Sequence, residues 1–185
     1  MSYKITNVKI SLKIKEKSLD SVQKICEREG INFKRYLNFL IIRDIYIFTI
    51  FKTGKSNQNH VNITKIPNLL NVEKSINQLT EKYNISVIEN NYIVDNITGS
   101  LDLKKEIILK NFIKTVDKIN DKHFSFQISY NNSIFPGLYL KVQKNSKKIG
   151  SIGIFFSGKV NIVGCKNIDD LECLSTLITA LTKMN

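Results

Sequence analysis

The stretch FFSGKVNIVGCK, Phe155–Lys166, decides how the chain is read. With the two residues before it, Gly153-Ile154-Phe155-Phe156-Ser157-Gly158-Lys159 has the glycine and lysine spacing of a nucleotide-binding P-loop. An earlier stretch, FKTGKS, Phe51–Ser56, also carries Gly-Lys. A P-loop needs a flexible glycine-rich turn between a strand and a helix, then Ser or Thr after the lysine to hold Mg²⁺. Here Gly153 to Phe156 reads as apolar strand, Lys159 is followed by Val160, and the next element is again a strand. In the earlier stretch Thr49 stands where the first glycine belongs. The pattern therefore reads as strand, tight turn with an outward lysine, strand, and it occurs once in each half of the chain.

Outward from these two turns, the halves read in the same order, and such a repeat governs the whole fold. YKITNVKISLKI opens the first half and YIVDNITGSLDL the second, both alternating as half-buried strands do. Val8, Ile10, Leu12 and Ile14 share one face of the first strand, with Asn7, Lys9, Ser11 and Lys13 on the other. In the second, Asn96, Thr98 and Ser100 oppose Ile97, Leu101 and Leu103. A helix follows each: Leu19, Val22, Ile25 and Cys26, then Leu109, Ile113 and Val116, have helical spacing. A strand hairpin comes next, then HVNITKI or VNIVGCK as a further strand, then a closing helix. Val72, Ile76, Leu79 and Tyr83 mark the first closing helix behind an Asn71 cap. Ile168, Leu171, Leu174, Ile178 and Leu181 mark the second behind Asn167, with Asp169 and Asp170 in its first turn. Each half reads β-α-β-β-β-α, residues 1–88 and 89–185. The expected fold class is α+β, with helices on one face of a mostly antiparallel sheet and the other face left open.

The chain has 185 residues and is 42% hydrophobic, which suits a globular protein. No apolar run approaches the roughly 20 residues of a membrane span, and the N-terminus alternates instead of forming the core of a signal peptide. Three cysteines, Cys26, Cys165 and Cys173, and two histidines, His60 and His123, lack metal-site spacing, so no metal or cofactor is expected and reduced thiols in an intracellular protein are. No acid/base pair or nucleophile–histidine constellation suggests an enzyme. The net charge of +12, nearly all from lysine, has two readings. One is a polyanionic partner; the other is codon bias in an AT-rich genome, which enriches Lys, Ile and Asn.

At SYNNSIFPGLYLKV and IFFSGKVNIVGCK the sequence resembles the TATA-binding protein family. The resemblance runs from Tyr3 to the C-terminus. It is strongest at Phe135-Pro136-Gly137-Leu138 and Ser157-Gly158-Lys159, and in register at Lys34-Arg35-Tyr36 and Thr53-Gly54-Lys55. It implies two tandem repeats joined in a saddle, one curved antiparallel sheet with helices on the convex face, whose concave face binds and bends the DNA minor groove. By position it implies Asn7 and Asn96 as the groove-centre asparagines. Tyr36, Phe51, Phe135 and Phe155 become the wedge aromatics, and Lys55, Lys141 and Lys159 the phosphate contacts, with Arg35 beside a wedge. Lys9, Thr64, Thr98, Asn161 and Val163 complete the expected DNA-binding floor. The chemistry agrees: exposed paired aromatics mark a contact surface, asparagine reads the A·T pattern of the minor groove, and lysines supply salt-dependent phosphate binding.

The chain departs from the family at several places. Lys9 stands where a valine is expected, Thr49 and Gly153 where leucines are, and Asn62 and Asn161 where valines are. Val163 replaces a threonine whose counterpart Thr64 is kept. Asn131, Asn132 and Ser133 occupy the acidic loop that the family offers to transcription factor IIB. The expected function is a transcription initiation factor binding double-stranded, A/T-rich promoter DNA, with a transcription factor IIB-like protein and RNA polymerase machinery as partners and no membrane. Its place would be the nucleus, or a viral factory or virion for a divergent viral lineage. Two other readings stay open: an interaction module that kept the saddle and lost specific DNA binding, and an accessory domain of a separate nucleic-acid enzyme.

Overall fold

The computed structural model describes residues 3–15, 18–52, 58–88, 91–119 and 121–184. Two compact units form, one of Asn7–Asp95 and one of Met1–Thr6 with Asn96–Asn185. The first unit takes most of β1 (Lys4–Lys15), then α1 (Leu19–Arg28), β2 (Asn32–Arg35), β3 (Phe39–Arg43), β4 (Ile47–Phe51), β5 (Gln58–Ile66), a 3₁₀ turn at Leu69–Asn71, and α2 (Val72–Lys82). Its strands pair antiparallel in the order β2-β3-β4-β5-β1. The second unit takes most of β6 (Ile93–Asp102), then α3 (Leu109–Asp117), β7 (Phe124–Ser129), β8 (Gly137–Lys144), β9 (Lys147–Phe155), β10 (Lys159–Cys165) and α4 (Ile168–Lys183). Its order, β6-β10-β9-β8-β7, is the same path repeated.

The class is α+β, as the periodicities indicate, with one more strand in each repeat than β-α-β-β-β-α allows. The added strands are β2 and β7, which follow α1 and α3. β2 is only 4 residues, NFKR, so its alternation merges with the hairpin behind it. β7, FSFQIS, has one half-buried side because it lies at the sheet edge.

Alternation decides which face is buried. Val8, Ile10, Leu12 and Ile14 of β1 are buried, as are Leu40, Ile42, Phe48, Ile50, Val61 and Ile63 of the strands beside it. They meet Leu19, Val22 and Cys26 of α1 and Val72 and Leu79 of α2. In the second unit Leu138, Leu140, Ile152, Ile154, Val160 and Ile162 face Leu171, Leu174 and Ile178 of α4. Each such side chain stabilises the fold by about 1.5–3 kcal/mol relative to exposure. Asn167 caps α4 as its position suggests, its Oδ1 accepting the Asp170 N–H at 2.7 Å. Asn71 does not cap α2: its side chain makes no cap bond, because the 3₁₀ turn already leads into the helix.

A polar knot ties the β3–β4 turn to α2. Asp44 Oδ2 accepts from Gln78 Nε2 at 2.7 Å, Lys82 Nζ at 2.8 Å and Tyr83 Oη at 2.8 Å. Burial pushes the Asp44 carboxyl upward, but the Lys82 and Tyr83 hydrogen bonds outweigh it and hold it below the usual carboxylate range. Burial, then the neighbouring Asp44 charge, push the Cys26 thiol up to about 11, and burial takes Cys165 to about 12. These thiols are packing groups and not nucleophiles. Among the described residues no group of three or more His, Cys, Asp or Glu is placed to hold a metal ion, and no helix is long and apolar enough to cross a membrane.

Candidate nucleic-acid interface

The helices cover one face of each sheet, and the polar side chains of alternate strand positions line the other. In the first unit, cross-strand pairs Ile41–Thr49, Thr49–Asn62 and Asn62–Ser11 form one row. Phe39–Phe51, Phe51–His60 and His60–Lys13 form the next, and Arg43–Ile47 and Ile47–Thr64 a third. The second unit repeats this with Tyr139–Gly153–Asn161–Ser100, then Gly137–Phe155, then Lys141–Ser151–Val163. Asn7, Lys9, Thr64, Thr98, Lys141, Asn161, Val163, Phe51 and Phe155 therefore all lie on open faces. Ile50 and Ile154, one position before each phenylalanine, are fully buried.

Asn7 and Asn96 share one arrangement. β5 bulges against β1 between the pairs Val8–Ile66 and Ile10–Ile63, and β10 bulges against β6 between Ile97–Cys165 and Gly99–Ile162. At these bulges Lys65 and Gly164 take positive φ, 64° and 85°. Asn7 Oδ1 accepts the Lys65 N–H at 2.8 Å, and Asn96 Oδ1 accepts the Gly164 N–H at 2.7 Å. A backbone N–H can only donate, so both amide orientations are fixed with the NH₂ group turned away from the bulge. Asn96 Nδ2 also donates to Thr98 Oγ1 at 3.1 Å.

The aromatic side chains gather at one end of each open face. Phe135, 42% exposed, packs on Phe155 at 5.5 Å between centroids. Gly137 permits this, since a Cβ there would lie 2.8 Å from the Phe135 ring and 3.1 Å from that of Phe155. In the first unit the pairing register puts Phe39 in the place of Gly137. Tyr36 stacks on Phe39 at 4.2 Å, and Phe39 lies 5.7 Å from Phe51, so three rings stand where the other unit has two. The Lys34 ammonium sits 5.1 Å over the Tyr36 ring.

The charged positions divide. Lys141 and Lys159 are exposed. Lys159 opens β10 after a tight turn in which the Gly158 N–H bonds Phe155 O at 2.9 Å, and it pairs with Asp102. The Lys104 backbone N–H, then its ammonium, hold the Asp102 carboxyl below its usual range. Lys55, with Thr53 and Gly54, lies outside the described residues. Lys9 is not a free cation: its ammonium is 3.4 Å from Asp95, which also accepts from Ser11 Oγ at 3.2 Å. Arg35 is turned away from the open face. It donates to the Tyr36, Leu37 and Phe39 carbonyls and pairs with Asp20 of α1 at 3.5 Å.

Residues 91–183 match the family described as "Transcription factor TFIID (or TATA-binding protein, TBP)". The chain belongs to the TATA-binding protein family. TATA-box-binding proteins 2 and 1 of Entamoeba histolytica are each 28% identical over 126 residues, 66% of this chain. Those matches cover 52% and 47% of the relatives, so the chain spans about half of their length. The solved structure titled Methanococcus jannaschii TBP superposes with a TM-score of 0.73 at 26% identity, over 100% of both chains. The saddle fold of the TATA-binding proteins is thereby the fold of this chain.

Within this TATA-binding protein fold, the register adds residues that the sequence reading missed. Arg43 stands where Lys141 stands in the other repeat, four positions along its strand from Phe39 as Lys141 is from Gly137. One extra residue between Tyr36 and Phe39 conceals the correspondence in the sequence. Counting back from Asn62 and Asn161, His60 takes the place of Lys159, so the first repeat offers an imidazole where the second offers an ammonium. Asp95 puts a carboxylate beside the open face of the first unit. Tyr139 puts a phenol on that of the second.

Proposed function

We propose that this chain is a transcription initiation factor that binds the minor groove of A/T-rich duplex DNA with its open sheet faces, bends it, and presents the complex to RNA polymerase machinery through a factor IIB-like protein. The observation that carries the reading is the fixed pair of asparagine amides. With each Oδ1 held by a bulge N–H, the groups turned outward are donors, although one N–H of Asn96 is already given to Thr98 Oγ1. The minor-groove edges of A·T and T·A pairs present only acceptors, adenine N3 and thymine O2. Lys141, Lys159 and Arg43 supply phosphate contacts. The clustered rings serve as wedges between base steps, a device of TATA-binding proteins among other minor-groove binders. The chemistry is binding without catalysis, carried out wherever the DNA is transcribed.

One observation favours a second reading, a family member that meets protein instead of DNA. Asp95 neutralises Lys9 and leaves a carboxylate on a face meant for phosphate-rich DNA. Titrating a short fluorescent duplex at several salt concentrations, with dyes at both ends, separates the two. Binding that weakens steeply with salt and brings the ends together supports the DNA reading. An absence of duplex binding overturns it and favours the protein-facing module.

A further inference from the structure

The sheet of the second unit ends at β7, which pairs with β8 on one side only. The His123 carbonyl accepts the Asn145 N–H at 2.8 Å, so the His123 backbone turns toward the β8–β9 hairpin. Backbone groups alternate in direction along an antiparallel strand. Ser125, Gln127 and Ser129 therefore turn theirs toward β8. Phe124, Phe126 and Ile128 turn theirs outward, with no backbone partner among the described residues. Native edges are usually blunted by charge, proline, a bulge or brevity. β7, FSFQIS, is 6 residues with no charge and no proline, and its register with β8 runs without a shift. The edge strand of the first unit, β2, is 4 residues, carries Lys34 and Arg35, and is tied to α1 by the Arg35–Asp20 pair. The two sides of the β7 edge differ. On the helix side Phe124 and Phe126, with ring centroids 6.3 Å apart, line a groove of about 510 Å³ with Ile119, Leu177, Leu181 and Met184. On the other side Ser125 and Gln127 stand beside Lys141 and Lys148, both exposed.

We propose that the β7 edge binds an extended segment of a partner protein, about six residues long, in which apolar and acidic residues alternate. The outward N–H and C=O groups of Phe124, Phe126 and Ile128 accept a further strand, and main-chain hydrogen bonds supply affinity whatever the sequence. Side chains of that strand alternate between the two sides, as in any strand. Those beside Phe124 and Phe126 enter the apolar groove. Those between them lie beside Lys141 and Lys148, where carboxylates are favoured. A second copy of this chain fits less well, because pairing β7 with β7 brings these lysines toward their own kind in a chain of net charge +12. The proposal does not rest on the minor-groove reading, and its test needs no DNA.

The test uses the full chain and a fluorescein-labelled synthetic peptide of alternating valine and glutamate, read by fluorescence anisotropy. A peptide of the same composition with its valines and glutamates in two separate blocks keeps the charge and loses the alternation. The alternating peptide should bind and the block peptide should bind at least about fivefold more weakly, the scale of losing a few edge contacts. N-methylating the peptide amides on one edge should abolish binding, and N-methylating those on the other edge should not. Phe126→Pro removes an outward N–H without touching the ladder to β8, so it should weaken binding at least about fivefold. Met184→Glu, a change at a 70% exposed position lining the groove, should weaken it too. Lys148→Glu should lower affinity for the glutamate peptide and raise it for a valine–lysine peptide. Circular dichroism confirms folding, and the methylated peptides with Met184→Glu carry the test if Phe126→Pro unfolds. Equal binding of alternating and block peptides, or equal loss on methylating either edge, overturns the proposal. So does no binding by the parent. A dimer of the parent in sedimentation, dissolved by Phe126→Pro, would assign the edge to a second copy and overturn it as well.

Discussion

Asn7 Oδ1 accepts the backbone N–H of Lys65 at 2.8 Å, and this bond decides what Asn7 can offer to a ligand. The oxygen faces the bulge, so the group turned outward is the NH₂. Asn7→Asp keeps an acceptor for Lys65, so the fold should survive. It removes the donors and adds a negative charge. Duplex affinity should fall at least about tenfold, since a good base-edge contact is worth roughly 1–3 kcal/mol. Asn96→Asp should behave alike, its oxygen bonding Gly164 in the same way. Fluorescence anisotropy on an A/T duplex measures the loss. Equal affinity for parent and variant would show that the amides do not meet the bases.

The same bulges predict a gain in stability. Lys65 holds φ 64°, a left-handed conformation, where the second repeat uses Gly164 at φ 85°. A side chain in that region costs about 1–2 kcal/mol, while glycine gives back part of it through the freer unfolded chain. Lys65→Gly should therefore raise stability by about 0.5–1 kcal/mol, and Gly164→Ala should lower it. Urea unfolding followed by far-UV circular dichroism checks both signs. A Lys65→Gly variant less stable than the parent would mean that the lysine side chain contributes more than its backbone strain costs.

Phosphate contacts are predicted at Lys141, Lys159 and Arg43. Changing any one to Ala should flatten the log K against log salt slope by about 0.9 and weaken binding to all sequences alike. Asp95→Asn should act in the opposite direction, because it releases Lys9, now 3.4 Å from the carboxylate, and removes a like charge from the path of the phosphates. Affinity for A/T duplex should rise, most at low salt. An unchanged affinity for Asp95→Asn would place this pair outside the footprint.

The repeat, the buried faces and the open faces were legible in the sequence because they rest on strand alternation. Val8-Ile10-Leu12-Ile14 and Ile152-Ile154 alternate without a break, and a helix covers only one side. What was not legible lay in register and in side-chain pairing. β2 was hidden because a four-residue strand contains barely one period of alternation. Arg43 and Phe39 were hidden because one extra residue after Tyr36 shifts the count. The Lys9–Asp95 pair was hidden because the two residues are far apart in the chain, and no local pattern places a β6 carboxylate beside a β1 lysine. Arg35 adjoins Tyr36 in the sequence, but its side chain goes to Asp20 of α1 and to the carbonyls of the following turn, contacts that no local pattern shows.

Asp44 predicts a pH dependence. Its carboxyl is held below the usual range in the folded chain, against about 3.9 when unfolded. A group with a lowered folded pKa contributes stability above its unfolded value and loses it as pH falls through the folded value. Stability should therefore drop as pH falls below about 4. Asp44→Asn should lower stability at neutral pH by about 1–3 kcal/mol, because Lys82 and Tyr83 lose an ionised acceptor. It should also flatten the acid limb. Thermal melts between pH 3 and pH 7 give both, and an acid limb unchanged by the substitution would assign that dependence to other carboxylates.

The aromatic ends of the two repeats should contribute unequally to bending. Phe135 and Phe155 pack directly on each other above Gly137, and Phe135 is 42% exposed, so a ring already stands clear of the sheet. An apolar ring entering a base step costs a few kcal/mol of unstacking, recovered through contacts that only bent DNA permits. Removing both rings, with Phe135→Ala and Phe155→Ala together, should lose the cost and the recovery alike. Bending at that end should vanish, while lysine-driven binding persists with nearly the same salt slope. In the first repeat Tyr36 is pinned by stacking on Phe39 at 4.2 Å and by Lys34 above its ring. A phenol is also a more polar wedge. Tyr36→Ala with Phe51→Ala should therefore reduce bending less, because Phe39 remains and the ring it frees was partly engaged within the protein. Energy transfer across a short end-labelled duplex measures the bend, with circular dichroism to show that each variant folds. Full bending by the folded Phe135/Phe155 double variant would exclude these rings as wedges. Unfolding of that variant would show that the pair is needed by the sheet itself, and single Phe135→Ala, the more exposed ring, would then carry the comparison.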